Sequence, residues 1–590
     1  MRRSLAFASI LTATALSACS ALAPFVGPRN ACSTDVQCGA EASCVEARCV
    51  ARQSSTWVVL AATPANSNQQ RSFAPTTLAH QEVRAGSSRD ITLARAREVR
   101  GVVRAPAGSA DALVNANVRF VRSDAAANDP GVVRFSSASS DEATQGFSVF
   151  LAEGQYDVFV EPRPVAPTNP MGMEVQSLPP LVLRGALTVD FRMDPALPLP
   201  FGISYSDTLE VAGFIVDRDA GAGVGDLLVR IVDDKGAPLS TRGQTSTGSG
   251  AFRIGLAPQG SAQRWSLEIS SAESAPTTGA AATSARAVYR IERDALLSNG
   301  ELTGLQVRIP GLNRLARTTE GPCVGCVPIE ASVERAVRPL DETAGLSASV
   351  FMHGSLEDLP AGHHAWFEAY ARSDARGAFT TFVLPGNYQV NITPEDESYA
   401  LAQSTLRVSS MVRGRTFTVP LKTSVNGVVR ASLPNASPMS LVDIEAIPLN
   451  EPAPSGSAPA LAPRAQTGRT DGAGAFTLRL DPGRYLIVAR PSSATGFAAA
   501  LTAQPVVVST DGATPSVSLS MGAPIALRGR VLAPNQFDPV PAASVQAFAR
   551  VPFTLSTGTS SSVDVSMFSA EADEDGEFEA LLPAGLPSAN

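Results

Sequence analysis

The sequence predicts an all-β protein, a tandem array of β-sandwiches preceded by a small disulfide-rich segment. Three observations lead there. A glycine–phenylalanine signature recurs at Gly146-Phe147, Gly250-Ala-Phe252, Gly377-Ala-Phe379, Gly474-Ala-Phe476 and Gly576-Glu-Phe578, with the phenylalanines 105, 127, 97 and 102 residues apart. Between these signatures, short runs of alternating apolar residues are bounded by turn clusters, with scarcely any helical periodicity. Four of the seven cysteines, Cys32, Cys38, Cys44 and Cys49, crowd into one short stretch. A period near one hundred marks an array of similar domains rather than a solenoid, whose units run to about 20–50 residues. At about 150 residues per domain, 590 residues give a prior of roughly four domains.

Taken in chain order, residues 1–18 read as a signal peptide. Arg2 and Arg3 form a basic start, and Leu5 to Leu16 form an apolar run too short to span about 30 Å of hydrocarbon. The sequence Leu16-Ser17-Ala18-Cys19 resembles the lipobox of bacterial lipoproteins. The resemblance implies that Cys19 carries a diacylglycerol and becomes the acylated N-terminus, a membrane partner through its lipid. Several acyl chains make a durable anchor where one is marginal. Ser20, rather than Asp, at the next position resembles lipoproteins sent to the outer membrane in enterobacteria. The expected location is therefore the bacterial cell envelope, outside the cytoplasm.

Residues 19–54 hold the anchor and a Cys-rich knot spaced C-x5-C-x5-C-x4-C. A segment this small needs staples, and an oxidising compartment favours disulfides. Paired C-x2-4-C zinc knuckles are absent. Four cysteines allow three pairings, and the sequence does not choose among them. Farther on, Cys323 and Cys326 lie in Gly-Pro-Cys-Val-Gly-Cys-Val-Pro, a loop context that reads as a local structural disulfide rather than a redox dithiol.

The repeats follow as 97–200, 207–312, 327–421, 422–522 and an apparently incomplete 523–590. A V-x-G-x-V-like strand opens most of them, at Val99-Arg-Gly-Val-Val103, Val211-Ala-Gly-Phe-Ile215, Val425-Asn-Gly-Val-Val429 and Leu527-Arg-Gly-Arg-Val531; the third repeat has Ile329-Glu-Ala-Ser-Val333, without the glycine. After the phenylalanine come Glu153-Gly-Gln-Tyr156, Pro385-Gly-Asn-Tyr388 and Pro482-Gly-Arg-Tyr485, with Trp265-Ser-Leu-Glu-Ile269 in that place in the second repeat. This order of motifs resembles the carboxypeptidase regulatory-like domain. The resemblance covers most of 97–585 and implies a seven-stranded, transthyretin-like Greek-key sandwich. Its motifs are structural, so they speak to fold rather than function. Residues 55–96, with Trp57-Val-Val-Leu60 and Asp90-Ile-Thr-Leu93, look like the second half of a repeat lacking a first half, while the last repeat stops where a Tyr strand should begin. Either the chain is truncated or the folding unit is offset by half a repeat. An unpaired sheet edge is an aggregation liability, which favours truncation or an unseen partner.

Chemistry is sparse. No metalloprotease, serine-hydrolase, P-loop or dinucleotide fingerprint occurs, and neither catalysis nor a cofactor is expected. The histidines are His80, His353, His363 and His364; the last two, near Glu357 and Asp358, read better as an exposed loop beside Pro360 and Gly362 than as a metal site. Glu571-Ala-Asp573-Glu-Asp575-Gly576 imitates half an EF-hand but has Leu582 at its twelfth position, so it reads as an acidic β-turn. The formal charge of −8 argues against nucleic acid as partner. Only two lysines occur, Lys235 and Lys422, so internal Lys–Asn isopeptide bonds could brace at most two of five repeats.

The leading functional expectation is a non-catalytic, lipid-anchored scaffold, spacer or adhesive array, reaching roughly 150 Å if its sandwiches lie end to end. Pro-rich stretches at Pro162–Pro170 and Pro452–Pro463 read as bending joins. A carbohydrate-binding surface protein is the alternative, with Trp366 on Ala365-Trp-Phe-Glu-Ala-Tyr370 as the best exposed stacking residue. A third is an accessory subunit docking an envelope enzyme or transporter, which a large apolar patch would favour.

Overall fold

The computed structural model describes residues 31–38, 42–52, 54–65, 67–106, 113–123, 135–139, 146–163, 178–191, 197–218, 220–234, 236–258, 264–271, 284–297, 300–309, 326–336, 344–355, 359–432, 436–450, 461–509, 513–555 and 558–586. Among these the chain is almost wholly β-strand, folded as five sandwiches behind the disulfide knot. Alternation builds each sheet. In Ala475–Leu480 the side chains of Phe476, Leu478 and Leu480 turn inward while Thr477 and Arg479 face water.

The second to fifth sandwiches share one plan. The V-x-G-x-V strand is the centre of a three-stranded sheet, antiparallel to the phenylalanine strand and parallel to the last strand of the repeat. In the fourth sandwich these are Thr423–Ala431, Ala475–Leu480 and Ser516–Met521. The two motifs face each other: Phe147 pairs with Gly101, Phe252 with Gly213, Phe476 with Gly427 and Phe578 with Gly529. In the third sandwich Phe379 pairs with Ala331, and Phe417 stacks on it at 6.2 Å. The turn before the phenylalanine is built by aspartate. Asp471 Oδ1 accepts from the backbone N–H groups of Ala473 and Ala475, and Gly474 takes φ 72°. Asp374 and Asp573 repeat the arrangement, which accounts for the acidic run 571–576 as a turn. The tyrosines of the next strand donate to a carbonyl four residues upstream: Tyr156 to Ala152, Tyr388 to Leu384 and Tyr485 to Asp481.

Two expectations about organisation are corrected. Residues 55–96 and 523–590 are not a half-repeat and an incomplete one. Ser55–Thr63 lies between Ser544–Thr554 and Thr76–Arg84 in one four-stranded sheet, and Ile91–Thr92 runs parallel to Ile525–Leu532. Val58, Leu60, Ala62, Val83, Ile91 and Leu93 share one core with Ile525, Leu527, Val531, Val545, Ala547, Phe578 and Leu582. The two ends of the described chain thus complete a single fifth sandwich. The sheet edge expected to lie open is filled by Ser55–Thr63, and the folding unit is offset by half a repeat. An end-to-end row reaching roughly 150 Å is excluded for the same reason, because the path through the other four sandwiches returns to the fifth.

Repeats 207–312 and 327–421 are likewise not separate. Their outer sheets join edge to edge through eight paired residues, Ser284–Glu292 against His363–Arg372, into one eight-stranded sheet, and one hydrophobic core serves both. The Pro-rich stretches lie mostly outside the described residues, but the strands on either side of each pair within one sandwich, which places neither at a junction. Gly154–Pro162 pairs with Leu181–Val189, and Asp443–Pro448 with Gln466–Arg469. Junctions between sandwiches are short, as from Val419 to Thr423 and from Met521 to Ile525.

Candidate functional site

Among the described residues, two of the places that bring chemistry-bearing side chains together are the outer face of the joined sheet and the junction where the chain closes. On the joined sheet, strand alternation turns Trp366, Glu368 and Tyr370 outward from His363–Arg372, and register sets Ser355, His353 and Phe351 opposite them on Ala348–Ser355. Phe351 stands opposite Tyr370 in strand register, with Tyr370 38% exposed and its hydroxyl 2.8 Å from Ser349 Oγ. An amide cluster flanks them: Asn391 Oδ1 accepts from Gln389 at 3.3 Å and from Gln403 at 3.1 Å.

Trp366 is not the exposed platform expected of it. It is half-buried; Arg290 lies over its ring at 5.0 Å, His353 stacks beside it at 6.3 Å, and its Nε1–H donates to Glu368 at 2.7 Å. A desolvated cation over an indole contributes on the order of 2 kcal/mol, so Trp366 is held rather than free. Beyond Arg290 lies Glu268, 2% exposed and ion-paired to Arg230 at 2.6 Å, Arg286 at 3.1 Å and Arg290 at 2.7 Å. Burial pushes the Glu268 carboxyl up, but the Arg230 and Arg290 guanidiniums more than offset it and hold the group below the usual carboxylate range. His363 and His364 open a strand rather than lying in a loop. His363 Nδ1 is 2.7 Å from the Tyr289 hydroxyl and His364 Nε2 is 3.1 Å from Glu292. Glu357 and Asp358 lie outside the described residues.

At the junction, the knot is pinned by Cys32–Cys44 and Cys38–Cys49, the pairing the sequence leaves open. Its hairpin Ala42–Val45/Arg48–Ala51 lies on the fifth sandwich. Arg48 binds Glu579 at 2.6 Å, Glu46 pairs with Arg528, and the Ala51 N–H donates to the Pro524 carbonyl at 3.0 Å. A cleft of about 670 Å³ opens between knot, fourth and fifth sandwiches, with Arg48, Arg490, Phe497, Met567, Phe568 and Glu579 in its wall. Its two cations are already paired, Arg490 with Glu445 and Arg48 with Glu579. Cys326 is disulfide-bonded, while Cys323 and Cys19 lie outside the described residues.

No known family profile matches the chain, and no characterised protein matches it by sequence. The carboxypeptidase regulatory-like resemblance therefore rests on the motif residues alone. Solved structures do resemble it in part. A streptococcal ancillary pilin, 10% identical, covers 53% of this chain and 99% of its own at a TM-score of 0.20. The minor pilin of the Gram-positive pathogen Streptococcus agalactiae, 12% identical, covers 33% and 96% at 0.21. The Bacillus anthracis TIE protein, 10% identical, covers 71% and 73% at 0.16.

Sequence reasoning reached Trp366 but missed Glu268, Arg290, His353, Phe351 and Tyr370 as its company. Alternation alone marks Trp366, Glu368 and Tyr370 as one face of a strand. The partners across the seam come from a different repeat, and no local pattern announces that pairing.

Proposed function

We propose that the protein is a non-catalytic scaffold of the bacterial cell envelope, held by lipid at Cys19 and presenting the outer faces of its sandwiches to partners. The observation that carries this reading is the split fifth sandwich, which fixes five domains in a closed path instead of leaving a flexible string. The knot supports it, because it fastens the segment next to Cys19 onto that same sandwich. Replacing Cys19 by Ala should move the chain from the membrane to the soluble fraction and abolish palmitate labelling; membrane retention by Cys19→Ala would overturn the anchor.

A second reading, saccharide binding, is favoured by the Phe351–Tyr370 pair with its amide neighbours on the joined sheet. Aromatic faces stack on pyranose rings, and amides bind hydroxyls. A glycan-array screen of the fragment from Ser20 onward decides it. Binding lost in both Tyr370→Ala and Trp366→Ala supports a carbohydrate receptor, and a clean negative leaves the scaffold. Docking of an envelope enzyme or transporter draws less support, since exposed large apolar side chains such as Leu197, Val507 and Phe537 are scattered through the sequence.

A further inference from the structure

His353 stands in the middle of the outer face of the joined sheet, 6% exposed, and neither Nδ1 nor Nε2 has a hydrogen-bond partner. A neutral imidazole always carries one N–H donor, and an orphaned buried donor is costly. Its ring is flanked by Trp366, at 6.3 Å and 25°, and by Phe351, at 6.5 Å and 35°. The nearest carboxylate oxygen is Glu368 Oε1, 3.9 Å from Nδ1, and that same oxygen accepts the Trp366 indole N–H at 2.7 Å. One acceptor therefore lies between two donors and serves only one of them.

The other titratable and charged groups on this face are Arg230 from Leu227–Val232, Glu268 from Ser266–Ser271, Arg286, Arg290 and Glu292 from Ser284–Glu292, His364, Tyr370 and Arg372 from His363–Arg372, and Arg407 from Ala402–Val408; Gly386–Pro394 brings the neutral Asn387, Gln389 and Asn391. Glu268 is engaged by Arg230, Arg286 and Arg290, Glu292 by His364, and Arg372 by Glu395, so Glu368, 3.9 Å away, is the carboxylate placed to receive a proton-bearing His353. We propose that His353, Glu368 and Trp366 form an acid-sensitive switch, in which proton uptake by His353 draws Glu368 off the Trp366 indole. The imidazolium carries N–H donors on both nitrogens, and a charge-assisted bond to Glu368 is stronger than the one that the neutral indole offers. Burial holds His353 neutral at neutral pH by pushing its pKa down, with Glu368 opposing, so the change falls below the ordinary value of 6.5. This would make the aromatic face a surface that differs between neutral and acidic surroundings. Its use in saccharide binding rests on the second reading above; the switch itself does not.

The test is the intrinsic fluorescence of the full chain from about pH 8 to about pH 4.5. The difference between wild type and Trp366→Phe isolates Trp366 from Trp57 and Trp265. A one-proton transition in the Trp366 emission is expected, with its midpoint below 6.5. It should vanish in His353→Gln, move to lower pH in Glu368→Gln, and persist in His363→Gln. A transition surviving in His353→Gln, a midpoint unmoved in Glu368→Gln, or no transition in the wild type would overturn the proposal. Should His353→Gln not fold, an NMR titration of the wild-type imidazole replaces it, and its midpoint must coincide with that of the emission. Because the readout needs no sugar, a negative glycan screen and a failed switch are separate results.

Discussion

The phenylalanine of a repeat lies directly over the glycine of the strand beside it, and the contact leaves no room for a side chain. A Cβ on Gly427 would come within 2.1 Å of the Phe476 ring, and one on Gly529 within 1.9 Å of the Arg89 carbonyl oxygen. Gly427→Val should therefore destabilise the fourth sandwich by about 1–3 kcal/mol, read as a lower urea midpoint. Ala331→Gly, at the equivalent place in the third sandwich, should cost only about 0.5–1 kcal/mol, from backbone entropy. The tyrosine hydroxyl is a second fixed point, and Tyr485→Phe should cost about 0.5–1.5 kcal/mol by leaving the Asp481 carbonyl without its donor. Both motifs are plain in the sequence because turns and alternation are local. That one motif covers the other is not, because it depends on strand register.

Between strands, Leu227–Val232, Ser266–Ser271 and the seam strand Ser284–Glu292 bring a cluster of charges together. Glu268 is the shared counter-ion of three arginines on this face, so Glu268→Gln leaves Arg230, Arg286 and Arg290 facing one another. Breaking a buried pair from one side costs about 3–5 kcal/mol, and a drop of that order in chemical denaturation is expected. Since its carboxyl is held below the ordinary range, the stabilising contribution of Glu268 is complete above the unfolded value of about 4.3 and is lost as pH falls through the lowered native value. Acid unfolding of Glu268→Gln should accordingly be less steep in that window than in wild type. The strand Trp265-Ser-Leu-Glu-Ile269 is legible in the sequence as a strand. Its burial is not, because an edge-to-edge union of two repeats leaves no mark on the period of either.

For the whole molecule the offset of the folding unit decides the shape. The sequence shows half a repeat at each end; it does not show that they fit each other, since the closing pairs Val59–Phe548 and Ala61–Gln546 lie at opposite ends of the chain. Small-angle scattering of the fragment from Ser20 onward should give a longest dimension well short of the roughly 150 Å of five sandwiches in a row. Leu60→Asp places a charge in the core shared by both ends and should lengthen the particle while the fourth sandwich keeps its structure. Closure also changes what a protease can do. In an open string one cut yields two fragments that drift apart. Here one cut at a junction such as Val419–Thr423 leaves both pieces joined by the hydrogen bonds and core of the fifth sandwich, so a second cut is needed before the pieces separate.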